Sequence, residues 1–467
     1  MILEIYYRSD TMSRQDWRCL LEKWEEEGEI KHVPDMVKKE YEISTLMMDL
    51  EKEHRYPIMK FDNVEGSEIP VITNILGSRD RFGDAMGVDG KQVAEEYAKR
   101  VKNRIEEHVL IENPPFMANS MYGEDIDLYK LPIITHFPID AGAYLTSGHV
   151  IAKDPESGAE TVGFHRMQLK DKDKLGISLH SRQRLWEYFR RSEEKGENLE
   201  AAIVIGVHPN ISLGSQAAIA YDKGKFASIA GLFGESLEIA DCTEINIQVP
   251  AYAEFVIEGE ILANVREKEG PFAEFTNYAC HRSTENVFKV KAIHYRENPI
   301  FHDLTPGYSS EHITVVAIQR EGDLLNALRN TLPNVKAVCS PLSGCGIFHC
   351  FISMKKIAEG QAAQAIFAAF AVDHNLKMAV VVDEDVDVFN EQEVLWAMAT
   401  RLQADRDIFI VPQSMGMGET LDPSTDELSR TAKMGIDATK PLEGFSPKIE
   451  LNMDVEKAVK RLHKYTI

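Results

Sequence analysis

The sequence predicts an α/β protein in three parts, with a middle part of α+β character. Three observations lead there. Helices and strands alternate up to about residue 110, strands dominate from about Leu131, and alternation returns after "PIFHDLTPG". A chain of 467 residues has room for two or three such domains. We place the boundaries at 1–115, 116–305 and 306–467.

The elements follow in order. "SRQDWRCLLEKWEEEGEIKHV" sets Trp17, Leu20, Leu21 and Trp24 at helical spacing behind a Ser, and Gly28 ends the run. "EYEISTLMMDLEKEHRYPIMKFDNV" reads as a helix and then a strand, "PVITNILGSRDRFGDAMGVD" as a strand and a short helix, and "GKQVAEEYAKRVKNRI" as a longer helix. "IENPPFMANS" is a proline-marked linker. "GHVIAKD" and "TVGFHRMQLK" flank "PESGAE", a hairpin signal, and put Arg166 in a strand beside His165. "HSRQRLWEYFRRSEEKGE" is a helix with a basic face, while "AAIVIGVHP", "INIQVPAYAEFVIEGEILANV" and "VFKVKAIHYREN" are strands. So many strands with so few helices indicate a barrel or a sandwich. The last part reads as α/β over a layered sheet, and the polar, Gly- and Pro-dotted chain after Met415 reads as loosely structured.

Composition narrows the function. With 52 Lys and Arg against 75 Asp and Glu the net charge is −23, which disfavours nucleic acid or an anionic membrane as partner. The N-terminus is charged and lacks the apolar core of a signal peptide, and no run of 18 apolar residues appears, so a reducing cytoplasm is the expected setting. The six cysteines show no disulfide framework and no zinc spacing; Cys345 and Cys350 around "GIFH" read as buried thiols. "VVVDEDVDVFN" begins like a calcium loop, but Val388 stands where Gly is required and Val394 where Glu is required; Asn390 is better read as the cap of a helix starting at Glu391. The glycine patterns of ATP and dinucleotide sites are absent.

"EGPFAEFTNYACH" sets Glu269 and Glu274 five residues apart around Gly270-Pro271. On a straight strand that odd spacing sends the two to opposite faces. Gly-Pro suits neither helix nor strand, and a turn there swings both acids towards one site, where repulsion splits their proton affinities. The alternative is a solvated corner with two surface acids. Arg166, among apolar strand residues, needs an anionic partner if buried, and Glu238 in "GESLEIADC" needs a cation; a surface position explains either one equally well.

Together these stretches resemble the UbiD family of prenylated-flavin-dependent decarboxylases. The resemblance rests on "EGPFAEFTNY", on Thr161–Gln168 with its "VGFHRMQ", on "GESLEIADC" before "VPAYAEFVIEGEI", and on "VVVDEDVDVFNEQEVLWAMATR", co-linear from about Ser13 to about Pro441. It implies an N-terminal α/β domain, a flavin-reductase-like split β-barrel for the cofactor, and a C-terminal α/β domain used in oligomerisation, as homodimer or homohexamer. It implies prenylated FMN supplied by a flavin prenyltransferase, with Arg166, Glu269 and Glu274 catalytic and Glu274 the proton donor. The activity implied is reversible, non-oxidative decarboxylation of an aromatic, heteroaromatic or α,β-unsaturated acid, with Phe275 lining the pocket and His349 and Cys350 placed where the last domain closes or where a core packs.

The family's flavin phosphate is commonly held through Mn2+ with K+ nearby. Glu238 matches one ligand, while Thr161 and Gln183 stand where Asn and His are usual. These three offer oxygen ligands for Mn2+ or another hard cation, or Arg182 or Arg184 neutralises the phosphate instead. Thr161, Arg166, Gln168, Arg182, Gln183 and Glu238 are thus the expected cofactor contacts. The rivals to this reading are an FMN oxidoreductase on the same barrel and a non-catalytic subunit of a carboxylase complex.

Overall fold

The computed structural model describes residues 12–179, 183–280, 285–418, 420–449 and 455–462. Its largest element is a nine-stranded antiparallel sheet. In spatial order it runs Tyr144–Leu145, Met167–Asp171, Lys174–Ile177, Glu285–Tyr295, Phe255–Glu267, Leu199–Ile205, His149–Lys153, Glu160–Phe164, with Asn119–Tyr122 also paired to Glu285–Tyr295. The chain itself forces this sheet to curl. Glu160–Phe164 ends the order and Met167–Asp171 lies six strands away, about 29 Å across a flat sheet. Only His165 and Arg166 join them, so Phe164 and Met167 are at most about 11 Å apart. The two edges must therefore meet, and Arg166 sits in the seam. It does not belong to a continuous strand, as the pattern of "TVGFHRMQLK" suggests.

Both faces of the curled sheet are buried, with period-two alternation. Ala201, Ile203 and Ile205 face the interior with Val150, Met167, Leu175, Ile257, Phe288 and Ile293. Ala202 and Val204 face outwards with Ile151, Val162 and Val256, under the helices Pro209–Ser215 and Phe226–Phe233. "GESLEIADC" supplies a strand, Leu237–Asp241, of a three-stranded sheet with Gln248–Pro250 and His108–Leu110.

Before the barrel, Ile30–Val33, Ile58–Phe61 and Val71–Thr73 form a sheet that Phe301–Asp303 completes in parallel beside Val71–Thr73. The first helix is Arg18–Glu26, several residues beyond Ser13, and buries Leu20, Leu21 and Trp24. The helix after "GKQ" runs only Val93–Arg100. After the barrel comes the twenty-residue helix Ser310–Arg329, whose Ser309 hydroxyl accepts the His312 amide. It leads into a five-stranded sheet ordered Val335–Cys339, His349–Met354, Met378–Asp383, Arg430–Asp437, Ile408–Met415. Ile352, Ala379 and Val381 on one face meet the helix Gln361–Val372, and Val380, Val382 and Ile436 on the other meet Glu391–Arg401, which Asn390 caps.

The chain beyond Met415 thus departs from the loose tail read in the sequence, because Arg430–Asp437 is an inner strand of this sheet. Its polarity hides it. The buried Lys433 ammonium is absorbed by the carbonyls of His374 and Leu376. Gly435 stays bare because a Cβ there would lie 2.2 Å from Cγ2 of Ile366. Cys350 packs in the core of the same sheet, and His349 opens its strand.

Candidate active site

The seam residue Arg166 meets the Gly-Pro turn. Gly270 has φ +79° and the Gly270–Pro271 bond is cis. The turn leads into the short strand Phe272–Ala273, and Ala279–Cys280 returns antiparallel to it. Glu269 and Glu274 both end on Arg166. Its Nε donates to Glu269 Oε1 at 3.0 Å, its Nη2 to Glu269 Oε2 at 2.9 Å, and its Nη1 to Glu274 Oε1. The side chains are nearly dry, 7% exposed for Arg166, 1% for Glu269 and 9% for Glu274. Burial opposes the guanidinium charge, but the Glu274 and Glu269 carboxylates outweigh it and raise Arg166 above its ordinary value. The Phe272 ring lies 4.8 Å from the guanidinium carbon.

Residues distant in sequence, which the motif reading missed, hold this turn. Asp140 accepts the Ala273 and Phe137 amides at 2.9 Å each, and the Ala141 amide donates to Pro271 O. Tyr144 Oη accepts the Gly270 amide at 3.2 Å; burial and then Glu269 push this phenol up, so it stays neutral. The next turn closes with the Glu274 amide donating to Tyr278 O and the Asn277 amide to Glu274 O.

A cavity of about 210 Å³ opens beside the ion pair. Arg166, Glu274 and Phe272 line one side, and His165, Ser178, Gln183 and Gln216 form a polar wall; Leu304, Pro306, Val315 and Val316 make an apolar one. His312 completes the lining. Its Nδ1 is 3.2 Å from Gly307 O, which leaves Nε2 as an acceptor, and burial lowers its proton affinity. His165 is pushed down to about 4 by burial. Ser178 Oγ is buried, lines the cavity and has no hydrogen-bond partner among the described residues. An unpartnered hydroxyl and two amide side chains on one wall suit a ligand rich in polar atoms, as a flavin is.

The expected phosphate and metal contacts divide. Gln183 lines the cavity. Thr161 is buried in the strand Glu160–Phe164 and does not line it. Gln168 donates to Ala141 O and accepts from Lys170, so it braces the turn's neighbour and does not face the cavity. Arg182 lies outside the described residues. Glu238, like Thr161, is not among the residues that line the cavity with Gln183. On the strand Leu237–Asp241 the core takes Leu237, Ile239 and Ala240, and Glu238 is half-buried. There it accepts from the Ser13 hydroxyl, and its amide donates to Gln15. Among the described residues no group of three His, Cys, Asp or Glu is placed to hold a metal ion. The residues present do not fit the expected Mn2+ site. Phe275 packs edge-on to His312, one shell behind the lining, and neither His349 nor Cys350 reaches the cavity.

Three family models match the chain in order. They are the N-terminal domain of 3-octaprenyl-4-hydroxybenzoate carboxy-lyase over residues 21–101, its Rift-related domain over 108–309 and its C-terminal domain over 313–438. The anhydromevalonate phosphate decarboxylase of Methanothermobacter thermautotrophicus is 33% identical over 91% of this chain and 97% of its own length. The phenolic acid decarboxylase of Bacillus subtilis is 31% identical over 92% and 93%. Among solved structures, the UbiD-class enzyme HmfF of Pelotomaculum thermopropionicum in complex with FMN superposes with TM-score 0.90 at 38% identity, covering 95% of this chain and 99% of that one. An evolved dimeric form of HmfF with prenylated FMN gives TM-score 0.85 at 35% identity. No helix among the described residues is long and apolar enough to cross a membrane. Over residues matched from 21 to 438, the chain belongs to the UbiD family of carboxy-lyases.

Proposed function

We propose that this chain is a reversible decarboxylase of an aromatic, heteroaromatic or α,β-unsaturated acid, with prenylated FMN as cofactor and Glu274 as proton donor. The observation that carries the reading is Arg166 bridging Glu269 and Glu274 at the wall of a cavity that Arg166 and Glu274 both line. The FMN and prenylated-FMN complexes of HmfF support the cofactor. When bound, that cofactor supplies an electron sink for the pair left on the carbon that loses CO2.

The chain's own residues do the rest. Glu269 holds Arg166 charged and oriented through two parallel hydrogen bonds. A substrate carboxylate competes with Glu274 for Nη1, and the displaced Glu274 takes up a proton as the substrate enters. The C–C bond to the carboxylate breaks, CO2 leaves, and the Glu274 proton takes its place. At high CO2 the same group, deprotonated, takes the proton back and carboxylation runs. Leu304, Pro306, Val315 and Val316 keep water from that proton. Hydride transfer would make no use of the Arg166–Glu269–Glu274 set, which weighs against an oxidoreductase. A flat or unsaturated acid fits relatives named for phenolic acid and anhydromevalonate phosphate.

The test is to isolate the protein from cells that also make a flavin prenyltransferase, weigh the bound flavin by native mass spectrometry, and follow CO2 release from phenolic, heteroaromatic and acyclic unsaturated acids. Bound prenylated FMN with CO2 release from one class supports the proposal. A plain FMN that NAD(P)H bleaches, with no CO2 released, would put the oxidoreductase in its place. The same native spectrum gives the oligomer, for which we propose a homodimer or homohexamer.

A further inference from the structure

Lys225 is a lysine that the chemistry above does not use. Its ammonium lies in the interior, donating to Val162 O at 3.1 Å and to Ser215 O, and it forms no ion pair with any described residue. Two carbonyls leave one of its three N–H groups to be placed. Burial pushes Lys225 down to about 7, and an anion brought beside it would favour its charged form.

Lys225 does not itself line the cavity, but its surroundings lead to the wall. Ser215 directly precedes Gln216, and His165, another wall residue, is close enough to feel the Lys225 charge. The unpartnered Ser178 hydroxyl opens on the same wall. Among the described residues, the other cations nearby are spent. Arg166 is taken by two carboxylates, and Arg184 by the carbonyls of Ile219, Ala220, Tyr221 and Lys223. Glu238, the acid expected to hold a metal, is tied to Ser13.

We propose that the Lys225 ammonium is the counter-ion of the flavin phosphate, seated at the Ser178–Gln183–Gln216 wall, so that this chain binds FMN without a divalent metal. The proposal rests on the flavin reading above and adds to it which group carries the charge.

The experiment uses the full chain, freed of metal with EDTA, and titrates FMN and riboflavin by quenching of flavin fluorescence. FMN should bind more tightly than riboflavin, and neither EDTA nor added Mn2+ should change its affinity. Lys225→Met should weaken FMN by about tenfold or more, the scale of one charge-assisted hydrogen bond, while leaving riboflavin unchanged. Lys225→Arg should restore part of the difference. The proposal is overturned if FMN binding to the wild type disappears with EDTA and returns with Mn2+, or if Lys225→Met weakens FMN and riboflavin equally. The wild-type titration decides alone if neither variant folds. If the wild type binds neither flavin, the cofactor reading falls, and this proposal with it.

Discussion

Replacing Arg166 with Met removes the guanidinium that Glu269 and Glu274 share and leaves two carboxylates, 1% and 9% exposed, with no counter-ion. Breaking a buried ion pair from one side costs about 3–5 kcal/mol. For a domain of this size that is a fall in melting temperature of roughly 6–20 °C. The penalty has a sign that pH reveals. Protonating one orphaned acid relieves it, and each pH unit of acidification makes that protonation about 1.4 kcal/mol easier. Arg166→Met should therefore melt furthest below wild type at pH 8 and recover ground as the pH falls towards 5. Adding Glu269→Gln should recover much of the loss at pH 8 without acid. The assay is differential scanning fluorimetry of wild type, single and double variants across that range. An Arg166→Met deficit that is flat in pH and untouched by Glu269→Gln would mean that lost packing against Phe272, and not the charge, is what Arg166 contributes.

The turn, the last sheet and the buried histidines each give a further expected outcome. Asp140→Ala strands the Ala273 and Phe137 amides and should cost about 1–3 kcal/mol, read as lost hydrogen-exchange protection at residues 270–274. It should also slow turnover while leaving flavin binding intact. Gly435→Ala forces a methyl into Ile366 and should destabilise by about 1–3 kcal/mol, seen as a lower urea midpoint with no change in activity at permissive temperature. Burial holds His149 and His208 down at about 3 and His165 at about 4. All lie below the unfolded value, so the unfolded chain takes up protons first and stability falls as pH drops from about 6.5 towards 4, by at most about 1.4 kcal/mol per unit for each. A melting temperature that stayed level through that range would contradict this assignment.

How much of this was legible in the sequence depended on where each signal lay. Elements with apolar periodicity stood out: Trp17 to Trp24, the strands around Ile203 and Val381, and the Asn390 cap. Glu269 and Glu274 could be suspected of converging because Gly270-Pro271 excludes a straight element locally. The seam at His165–Arg166 was hidden, since a two-residue break in an apolar run looks like a strand until the strand order is known. Arg430–Asp437 was hidden because an inner strand carrying Lys433 and Gly435 lacks the apolar pattern. Glu238 is ambiguous for a similar reason, as its apolar neighbours do not say which way the strand turns it. Asp140, Tyr144, His312 and Lys225 could not have been picked out, because each acts on residues that only the tertiary fold brings near.

The measurement that bears most directly on the central claim compares wild type with Glu274→Gln, both isolated from cells making the flavin prenyltransferase, for bound flavin and for CO2 release. Both proteins should carry the same prenylated flavin, and CO2 release should be lower in the variant by about 10²–10⁴-fold, the usual contribution of a positioned proton donor. Undiminished CO2 release from Glu274→Gln would contradict that claim.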